Sequence, residues 1–324
     1  MLFLVNYSLC LLGDFWRHRV TLLLFLIVST CVNANASTTA TPLRIAISNA
    51  EAINSSEPSY YFEQLLRLSL EKTYDTDGNF QIVHNHHGGG IERDRALLMS
   101  GVGIDVMWGS VTKEREKSLR VIPVDLLKTL NNYRVLLIRN DNQNMFNKIE
   151  NVDGLKKIMM GSGAHWTDTA IMSANGFSIM EGTNYSGLFK MLAAGRFDFM
   201  SRGVHEAGYD MAAYASFGLA LENKFLLKYD TPLQYSFYVN KNNIALSDRI
   251  ERGLKIAQQD GSFDALFYQI PSLKNGMDLF KSSTRTVIEL KTEDILNRNM
   301  NAEDVKNEVV QSKNKTSSLM TRYP

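Results

Sequence analysis

The chain has 324 residues, with 35 Lys and Arg against 34 Asp and Glu, and 44% of its residues are hydrophobic. This composition is that of a globular protein and excludes a largely disordered chain, a collagen-like repeat and a coiled coil. The near-zero net charge lacks the positive excess of a nucleic-acid-binding protein, so no nucleic-acid partner is expected. The length fits about two domains.

Both cysteines, Cys10 and Cys31, lie within the first 36 residues. The rest of the chain therefore contains neither a structural disulfide nor a cysteine nucleophile.

The first 36 residues have the pattern of a secretory signal peptide. Arg17 and Arg19 precede an apolar run at 20–28, and Ala-Asn-Ala follows at 34–36. A basic start, a short apolar run and small residues at the cleavage site define such a signal. The run is shorter than the roughly 20 residues that span a bilayer. We therefore predict cleavage after residue 36 and export to the periplasm.

Two alternatives concern this N-terminal segment. Val-Ser-Thr at 28–30 before Cys31 is similar to a lipoprotein cleavage site, except that Thr30 stands where Gly, Ala or Ser is expected. Residues 1–16 add a second apolar patch, which fits either a longer signal or an upstream start codon that is not used. Removal of residues 1–36 leaves equal numbers of acidic and basic residues, and no later segment is apolar enough to span a membrane.

Strands and helices alternate along the rest of the chain. Apolar runs and helical periodicity predict a first set, with strands at 43–47, 80–83 and 104–107 and helices at 62–70 and 91–100. A second set has strands at 158–160, 177–180 and 197–200 and helices at 166–174 and 185–192. Two such sets favour two α/β lobes, each built of βαβ units around a mainly parallel sheet.

Two long β-type runs, at 133–139 and 234–239, separate these sets from the helices that follow. We predict that the chain leaves lobe one near residue 133 and returns near residue 231 through two hinge strands. Lobe one then comprises 42–133 plus 231–290, and lobe two comprises 134–230.

The predicted C-terminal segments follow the second β-type run. A helix over 246–257 has Ser247 as its candidate N-cap and ends at Gly261. Residues 292–324 form a polar tail that is rich in lysine and asparagine.

Four segments in order carry a resemblance to a known family. They are Arg-Ala-Leu-Leu-Met-Ser-Gly-Val-Gly-Ile-Asp-Val at 95–106, Gly-Ser-Val-Thr-Lys-Glu-Arg at 109–115, Leu-Ala-Ala-Gly-Arg-Phe-Asp at 192–198 and Asp-Gly-Ser-Phe at 260–263. The chain resembles the extracytoplasmic solute-binding proteins of family 3, the amino-acid type of ABC transporter substrate-binding protein with the type 2 periplasmic-binding fold. The resemblance spans about residues 42–290.

The resemblance implies a two-lobed clamp that closes on a small polar ligand and delivers it to a membrane permease. The family's carboxylate-binding arginine falls on Arg115, and a backbone and hydroxyl contact beside it falls on Ser110. The chain departs from the family at 199–203, where Phe-Met-Ser-Arg-Gly contains no ammonium-binding acid, and at Trp108, which replaces a small residue. These departures argue against a standard α-amino acid as the ligand.

The chemistry of individual residues supports a polar cleft. Arg115 lies in the first turn of a helix that Thr112 can cap, where a guanidinium and free N–H groups suit a carboxylate. The alternative is a surface arginine that pairs with a neighbouring glutamate. Arg202 follows a strand end; if it faces the cleft, the ligand carries more than one anionic group, and the alternative is an ion pair with Glu206.

A Gly-Ser-Gly turn at 161–163 precedes Thr167 and Asp168 at a helix start, either as an anion site or as a plain strand-to-helix turn. Trp108 and Trp166 are candidates for stacking on a ligand or for packing in the core. The predicted ligand-binding residues are Arg115, Ser110, Gly109, Trp108, Thr112, Arg202, Trp166, Gly163 and Tyr60.

Three histidines, His84, His86 and His87, precede a run of glycines. Without further Cys, His, Asp or Glu ligands at metal-binding spacing, we interpret them as a polar turn and expect neither a metal nor another cofactor.

Three functions remain after these observations. The first is a monomeric, non-enzymatic binding protein for an ABC permease, and the second is a ligand sensor for a membrane-bound signalling partner. The third is an exported dehydratase-like enzyme, whose acid and base would come from Glu206, Asp168 and His165. No nucleophile elbow or phosphate-binding loop supports catalysis.

Overall fold

The computed structural model describes residues 41–48, 58–85, 90–281 and 283–292. The predicted signal peptide, the tail beyond Thr292, and His86 and His87 lie outside these residues. Among the described residues, no helix combines the length and apolar character that crossing a bilayer requires.

Twelve strands are described. They are β1 (Leu43–Ile47), β2 (Phe80–His84), β3 (Val106–Ser110), β4 (Leu119–Val121), β5 (Tyr133–Arg139), β6 (Met159–Gly163), β7 (Ser178–Gly182), β8 (Phe199–Gly203), β9 (Leu219–Leu221), β10 (Phe225–Tyr229), β11 (Tyr235–Asn240) and β12 (Thr286–Leu290).

The α-helices of the described ranges alternate with these strands. They are α1 (Pro58–Glu71), α2 (Tyr74–Asp77), α3 (Ile91–Ser100), α4 (Lys113–Ser118), α5 (Gln143–Asn147), α6 (Val152–Lys156), α7 (Thr167–Ala174), α8 (Tyr185–Ala193), α9 (Ala207–Ala213), α10 (Ile244–Gln259), α11 (Ser262–Gln269) and α12 (Pro271–Lys281). Two short 3-10 turns lie at Leu130–Asn132 and Ala215–Phe217.

Two separate sheets divide the strands, which confirms the predicted two-lobed α/β class. The first sheet has the order β2-β1-β3-β11-β4, and the second has the order β12-β10-β5-β8-β6-β7 with β9 paired to β5. The βαβ strands run parallel, as predicted. The long strands β5 and β11 instead pair antiparallel with their neighbours. Each is the first strand after the chain has crossed from one sheet to the other.

The chain passes from the first sheet to the second between β4 and β5, and it returns between β10 and β11. A third passage, from α12 to β12, corrects the expectation that residues 231–290 all belong to lobe one. Strand β12 pairs in parallel with β10 of the second sheet, and its Ile288 and Leu290 are buried in that core. Burial of these two apolar side chains stabilises β12 in the second sheet, although β12 follows the helices of lobe one in the sequence.

One cluster of buried residues joins Val135 of β5 and Leu226 of β10 to the first sheet, and other clusters cover each sheet separately. In the first sheet, Leu65 and Leu66 of α1 and Ile250 of α10 pack with β1 on one side. In the second sheet, β5 is buried on both faces, since Leu136 lies in one cluster and Leu137 lies in the other. Packing on both faces fixes the position of β5 within the second sheet.

Several predicted boundaries need correction. Strand β3 begins at Val106 and runs on to Ser110, beyond the predicted end at residue 107, because Trp108 to Ser110 pair with β11. The N-cap of α10 is Asn243, whose side chain accepts the N–H of Leu246, and not Ser247. The short strands β4, β9, β10 and β12 were not predicted.

Candidate ligand-binding site

A cavity of about 850 Å³ opens where strand ends of the two sheets face each other. Its wall on the first sheet is formed around Trp108, Gly109 and Ser110 at the end of β3. Its wall on the second sheet includes Gly163 at the end of β6 and Arg202 near the end of β8. Ligands of α/β proteins bind at the carboxyl ends of strands, so this is the expected place for a binding site.

Arg115 is the cation of the first wall. Helix α4 begins after Thr112, whose hydroxyl accepts the N–H of Arg115 at 3.3 Å. The guanidinium is buried, lines the cavity, and donates from Nη1 to the Ser110 carbonyl at 2.8 Å. No carboxylate of the described residues lies within 4.0 Å of it. The alternative of a surface arginine paired with glutamate therefore does not hold.

Gly109 makes room for this guanidinium. A Cβ atom at Gly109 would lie 2.9 Å from Arg115 Nη1. Glycine at position 109 thus leaves space for the Arg115 guanidinium in the cavity wall.

A buried ion pair, Arg134 with Asp168, forms part of the second wall. Arg134, at the start of β5, donates to both carboxylate oxygens of Asp168, at 2.7 and 2.9 Å. The Tyr229 hydroxyl donates to the same carboxylate at 2.5 Å. Bidentate pairing and a third hydrogen bond compensate both charges, so Asp168 serves as a structural partner of Arg134.

Arg202 lines the cavity and is also ion-paired. Its Nε donates to Asp210 at 2.6 Å, and its Nη2 lies 3.4 Å from Glu206. The same Nη2 donates to the Tyr185 hydroxyl at 2.9 Å, and the guanidinium lies 5.0 Å from the centre of the Trp166 ring. Both alternatives for Arg202 thus hold together: it faces the cleft and it pairs with Glu206.

Glu206, a candidate acid or base from the sequence, supplies a carboxylate to the cavity. It follows β8 three residues after the segment 199–203 and accepts the Gly203 N–H at 3.1 Å. Burial raises the pKa of Glu206, but the positive charges of Arg202 and Arg134 together with the Gly203 N–H outweigh burial and lower the pKa to about 2. Glu206 is therefore ionised at neutral pH.

His205 is buried beside this carboxylate. Burial lowers the pKa of His205 to about 4, with Arg134 and Arg202 acting in the same direction. The imidazole is therefore neutral at pH 7, and its Nδ1 has no hydrogen-bond partner in the described part of the chain.

The charges around the cavity balance except at two places. Arg134 is paired with Asp168, and the lining residue Glu92 is paired with Arg95. Arg202 is shared by two carboxylates, Asp210 and Glu206, so this cluster keeps one net negative charge, whereas Arg115 in the first wall has no carboxylate within 4.0 Å among the described residues. Arg115 and Glu206 both act on Tyr235. Burial and the charge of Glu206 raise the pKa of Tyr235, and the charge of Arg115 opposes this rise.

The other predicted residues take different places. Trp108 lines the cavity and stacks on Phe62 with 5.5 Å between ring centres. Trp166 lines the opposite wall and covers Gly163 so closely that a Cβ there would lie 2.1 Å from the indole. Tyr60 packs against the core of the first sheet, and Thr112 caps α4; the cavity lining includes neither.

Two further histidines, His84 and His165, lie within the described ranges. His165 lines the cavity in a left-handed backbone conformation, with φ of 67°. His84 pairs with Glu63, with 3.0 Å between Nε2 and the carboxylate. Within the described ranges, no group of three or more His, Cys, Asp or Glu residues can hold a metal ion.

No protein-family model matches the sequence, and no curated protein sequence matches it. Solved structures do match. An ancestral arginine-binding protein bound to arginine is 17% identical with a TM-score of 0.54, over 72% of this chain and 99% of that chain. The chain has the type 2 periplasmic-binding-protein fold.

Other solved structures share this type 2 fold. A histidine kinase sensor domain is 13% identical with a TM-score of 0.53, over 72% of this chain and 97% of that chain. The substrate-binding protein of an amino acid ABC transporter is 14% identical with a TM-score of 0.51, over 71% of this chain and 99% of that chain. Periplasmic-binding folds thus occur in both transport and sensing, and at these identities the likeness concerns the fold.

Proposed function

We propose that this protein is an exported solute-binding protein that clamps a small zwitterionic, amino-acid-like ligand for an ABC-type permease. The observation that carries the proposal is the state of Arg115: it is buried, it faces the cavity, and it has no carboxylate partner among the described residues. A buried cation without a counter-ion is unfavourable, and a ligand carboxylate would supply the missing charge.

Glu206 extends the proposal to a positive group on the ligand. The sequence offers no acid at 199–203, but Glu206 places an ionised carboxylate in the opposite wall. A ligand that carries both a carboxylate and an ammonium group complements the two unbalanced charges. The expectation of a ligand with two anionic groups is no longer supported, because Arg202 is already paired with Asp210 and Glu206.

An exported dehydratase-like enzyme fits the site less well. Such a reaction needs an acid and a base with pKa values near the working pH. Asp168 is held by Arg134 and Tyr229, while Glu206 has a pKa of about 2 and is therefore a weak base. We accordingly propose binding without catalysis.

A signalling partner in place of a permease is the second candidate, because a histidine kinase sensor domain has the same fold. Capture of this protein on membranes of the producing cell, followed by identification of the crosslinked protein, distinguishes a permease from a kinase. The proposed ligand class is the same for both partners.

The test of the ligand class is a thermal-melt screen of the purified protein against the standard L-amino acids, dicarboxylates, short peptides and aromatic acids. A ligand at about 100 times its dissociation constant adds about 2.7 kcal/mol to the free energy of unfolding, which raises the melting temperature by several degrees. We expect hits among the zwitterions. Arg115→Ala should abolish them, whereas Arg120→Ala, on strand β4 outside the cavity lining, should not.

The proposal fails on either of two results. One is a hit whose affinity Arg115→Ala leaves unchanged, which would place the ligand elsewhere. The other is preference for dicarboxylates over every zwitterion, which would contradict the roles given to Arg202 and Glu206.

A further inference from the structure

Asn131 occupies the junction between the two sheets. It lies in the 3-10 turn Leu130–Asn132, immediately before β5, and its side chain is 2% exposed. The amide contacts three separate segments of the chain. Its Nδ2 donates to Ser110 Oγ at 3.2 Å and to the Leu233 carbonyl at 2.8 Å, and its Oδ1 accepts from Arg134 Nη2 at 3.3 Å.

The chemistry of these partners fixes which way the amide points. A guanidinium only donates hydrogen bonds, so the amide oxygen must face Arg134. A backbone carbonyl only accepts, so the amide nitrogen must face Leu233. Both amide hydrogens are then committed, one to Leu233 and one to Ser110.

The orientation of Asn131 decides the role of the Ser110 hydroxyl. Because Ser110 Oγ accepts from Asn131, its own proton is not needed there and is available for another acceptor. Ser110 lines the cavity, and its backbone carbonyl accepts from Arg115 Nη1. A hydroxyl donor and a guanidinium therefore lie side by side at the end of β3.

We propose that Asn131 is a positioning residue for carboxylate binding, which acts by holding the Ser110 hydroxyl as a donor toward the ligand carboxylate beside Arg115. This inference rests on the proposed function, since it assigns a second donor to the same carboxylate. Asn131 itself need not touch the ligand. Its effect passes through Ser110.

Arg134 and Asp168 extend the arrangement into the second sheet. The guanidinium that orients Asn131 is held bidentately by Asp168, at the start of α7, and by Tyr229 of β10. Groups from the second sheet thus set the direction of a hydrogen bond that the first sheet offers to the ligand. The amide at the hinge is the connection between them.

A double-mutant cycle tests the role of Asn131. The variants are Ser110→Ala, Asn131→Ala and the double variant, and the probes are L-arginine, L-glutamine and L-phenylalanine, titrated by calorimetry. A hydrogen bond to a charged group contributes about 1.5–3 kcal/mol, so we expect Ser110→Ala to raise the dissociation constant about 10- to 100-fold. Asn131→Ala should raise it about 3- to 30-fold in the wild-type background and less than about twofold in the Ser110→Ala background.

A second variant preserves side-chain volume. Asn131→Asp keeps the acceptor for Arg134 but turns the Ser110 hydroxyl toward the new carboxylate, so it should weaken binding more than Asn131→Ala. Melting curves of every variant check that the fold is retained, and Asn131→Asp carries the test if Asn131→Ala does not fold.

The outcomes separate the inference from the proposed function. Equal losses from Asn131→Ala in both backgrounds, or no loss in either, would overturn the positioning role while Arg115-dependent binding stands. If none of the three probes binds the wild-type protein, the zwitterion proposal fails for these side chains and the positioning role fails with it.

Discussion

The two walls of the cavity hold their arginines in opposite electrostatic states. In the second wall, Arg202 is bound to Asp210 and Glu206, and Arg134 is bound to Asp168. In the first wall, Arg115 has a backbone carbonyl and no carboxylate within the described residues. Removal of a paired buried arginine leaves its carboxylates uncompensated and destabilises the protein, whereas an unpaired arginine can bind an anion. The difference shows which arginine the fold needs and which one the ligand needs.

The largest expected effect comes from removing the compensated cation. Arg202→Leu would leave Asp210, which is fully buried, and Glu206 as neighbouring carboxylates without their shared cation. Breaking a buried ion pair in this way costs about 3–5 kcal/mol, so chemical unfolding should show a loss of that size.

Arg115→Leu is the matched control, and it should change the free energy of unfolding by less than about 1 kcal/mol. The Ser110 carbonyl keeps a donor in this variant, since the Tyr238 hydroxyl donates to it at 3.0 Å. Equal losses in the two variants would show that the walls do not differ as described.

The next effect concerns pH, and it belongs to the second wall. The pKa of His205 is lowered from its usual 6.5 to about 4, so only the unfolded chain takes up this proton between those values. The stability that comes from keeping His205 neutral is therefore complete above pH 6.5 and is lost as the pH falls toward 4. Glu206, with its pKa lowered to about 2, adds a second loss as the pH falls from about 4.5 toward 2.

Each step should amount to on the order of 2 kcal/mol. Urea unfolding at a series of pH values measures them. His205→Gln should flatten the upper step and Glu206→Gln the lower one. An unchanged upper step in His205→Gln would assign the titration to another group.

The sequence predicted the first wall better than the second. Arg115, Ser110 and Gly109 lie within seven residues around the start of one helix, and the family resemblance pointed to this segment. Arg202 donates to Tyr185, 17 residues earlier in the chain, and Asn131 donates to Ser110, 21 residues earlier, and to Leu233, 102 residues later. Contacts of this range depend on how the sheets are assembled, which periodicity does not encode.

The fold shows the same division. Alternating strands and helices were predicted because each is a local hydrophobic pattern. Strand β12 was assigned to the wrong lobe because its pairing with β10 joins residues about 60 apart through backbone hydrogen bonds. Glu206 was considered as a catalytic acid or base, and its role as the carboxylate of the wall was missed because it lies just beyond the segment that the family pattern specifies.

A smaller effect distinguishes the walls sterically. Gly163→Ala would place a methyl group 2.1 Å from the rigid indole of Trp166, so we expect a loss of about 1–3 kcal/mol and a shift in tryptophan fluorescence. Gly109→Ala meets only the end of the flexible Arg115 guanidinium, at 2.9 Å, and should lower ligand affinity with a smaller loss of stability.

Gly208→Ala controls for the added methyl group. No atom lies within 4 Å of its Cβ position in α9, so this substitution should be neutral or stabilising by up to about 1 kcal/mol. If Gly163→Ala is as stable as Gly208→Ala, then Trp166 moves freely and does not form a fixed part of the second wall.

The smallest effect is expected at the histidine on the first sheet. His84 is partly exposed and pairs with Glu63 at 3.0 Å, unlike the buried His205 of the second wall. An ion pair near the surface contributes less than about 1 kcal/mol, so His84→Gln should change the free energy of unfolding by no more than that. Addition of a metal chelator should leave the melting temperatures of the wild-type protein and of His84→Gln unchanged. A drop of several degrees with chelator in the wild type, absent in His84→Gln, would instead make His84 a metal ligand and would place a stabilising cation beside the first sheet.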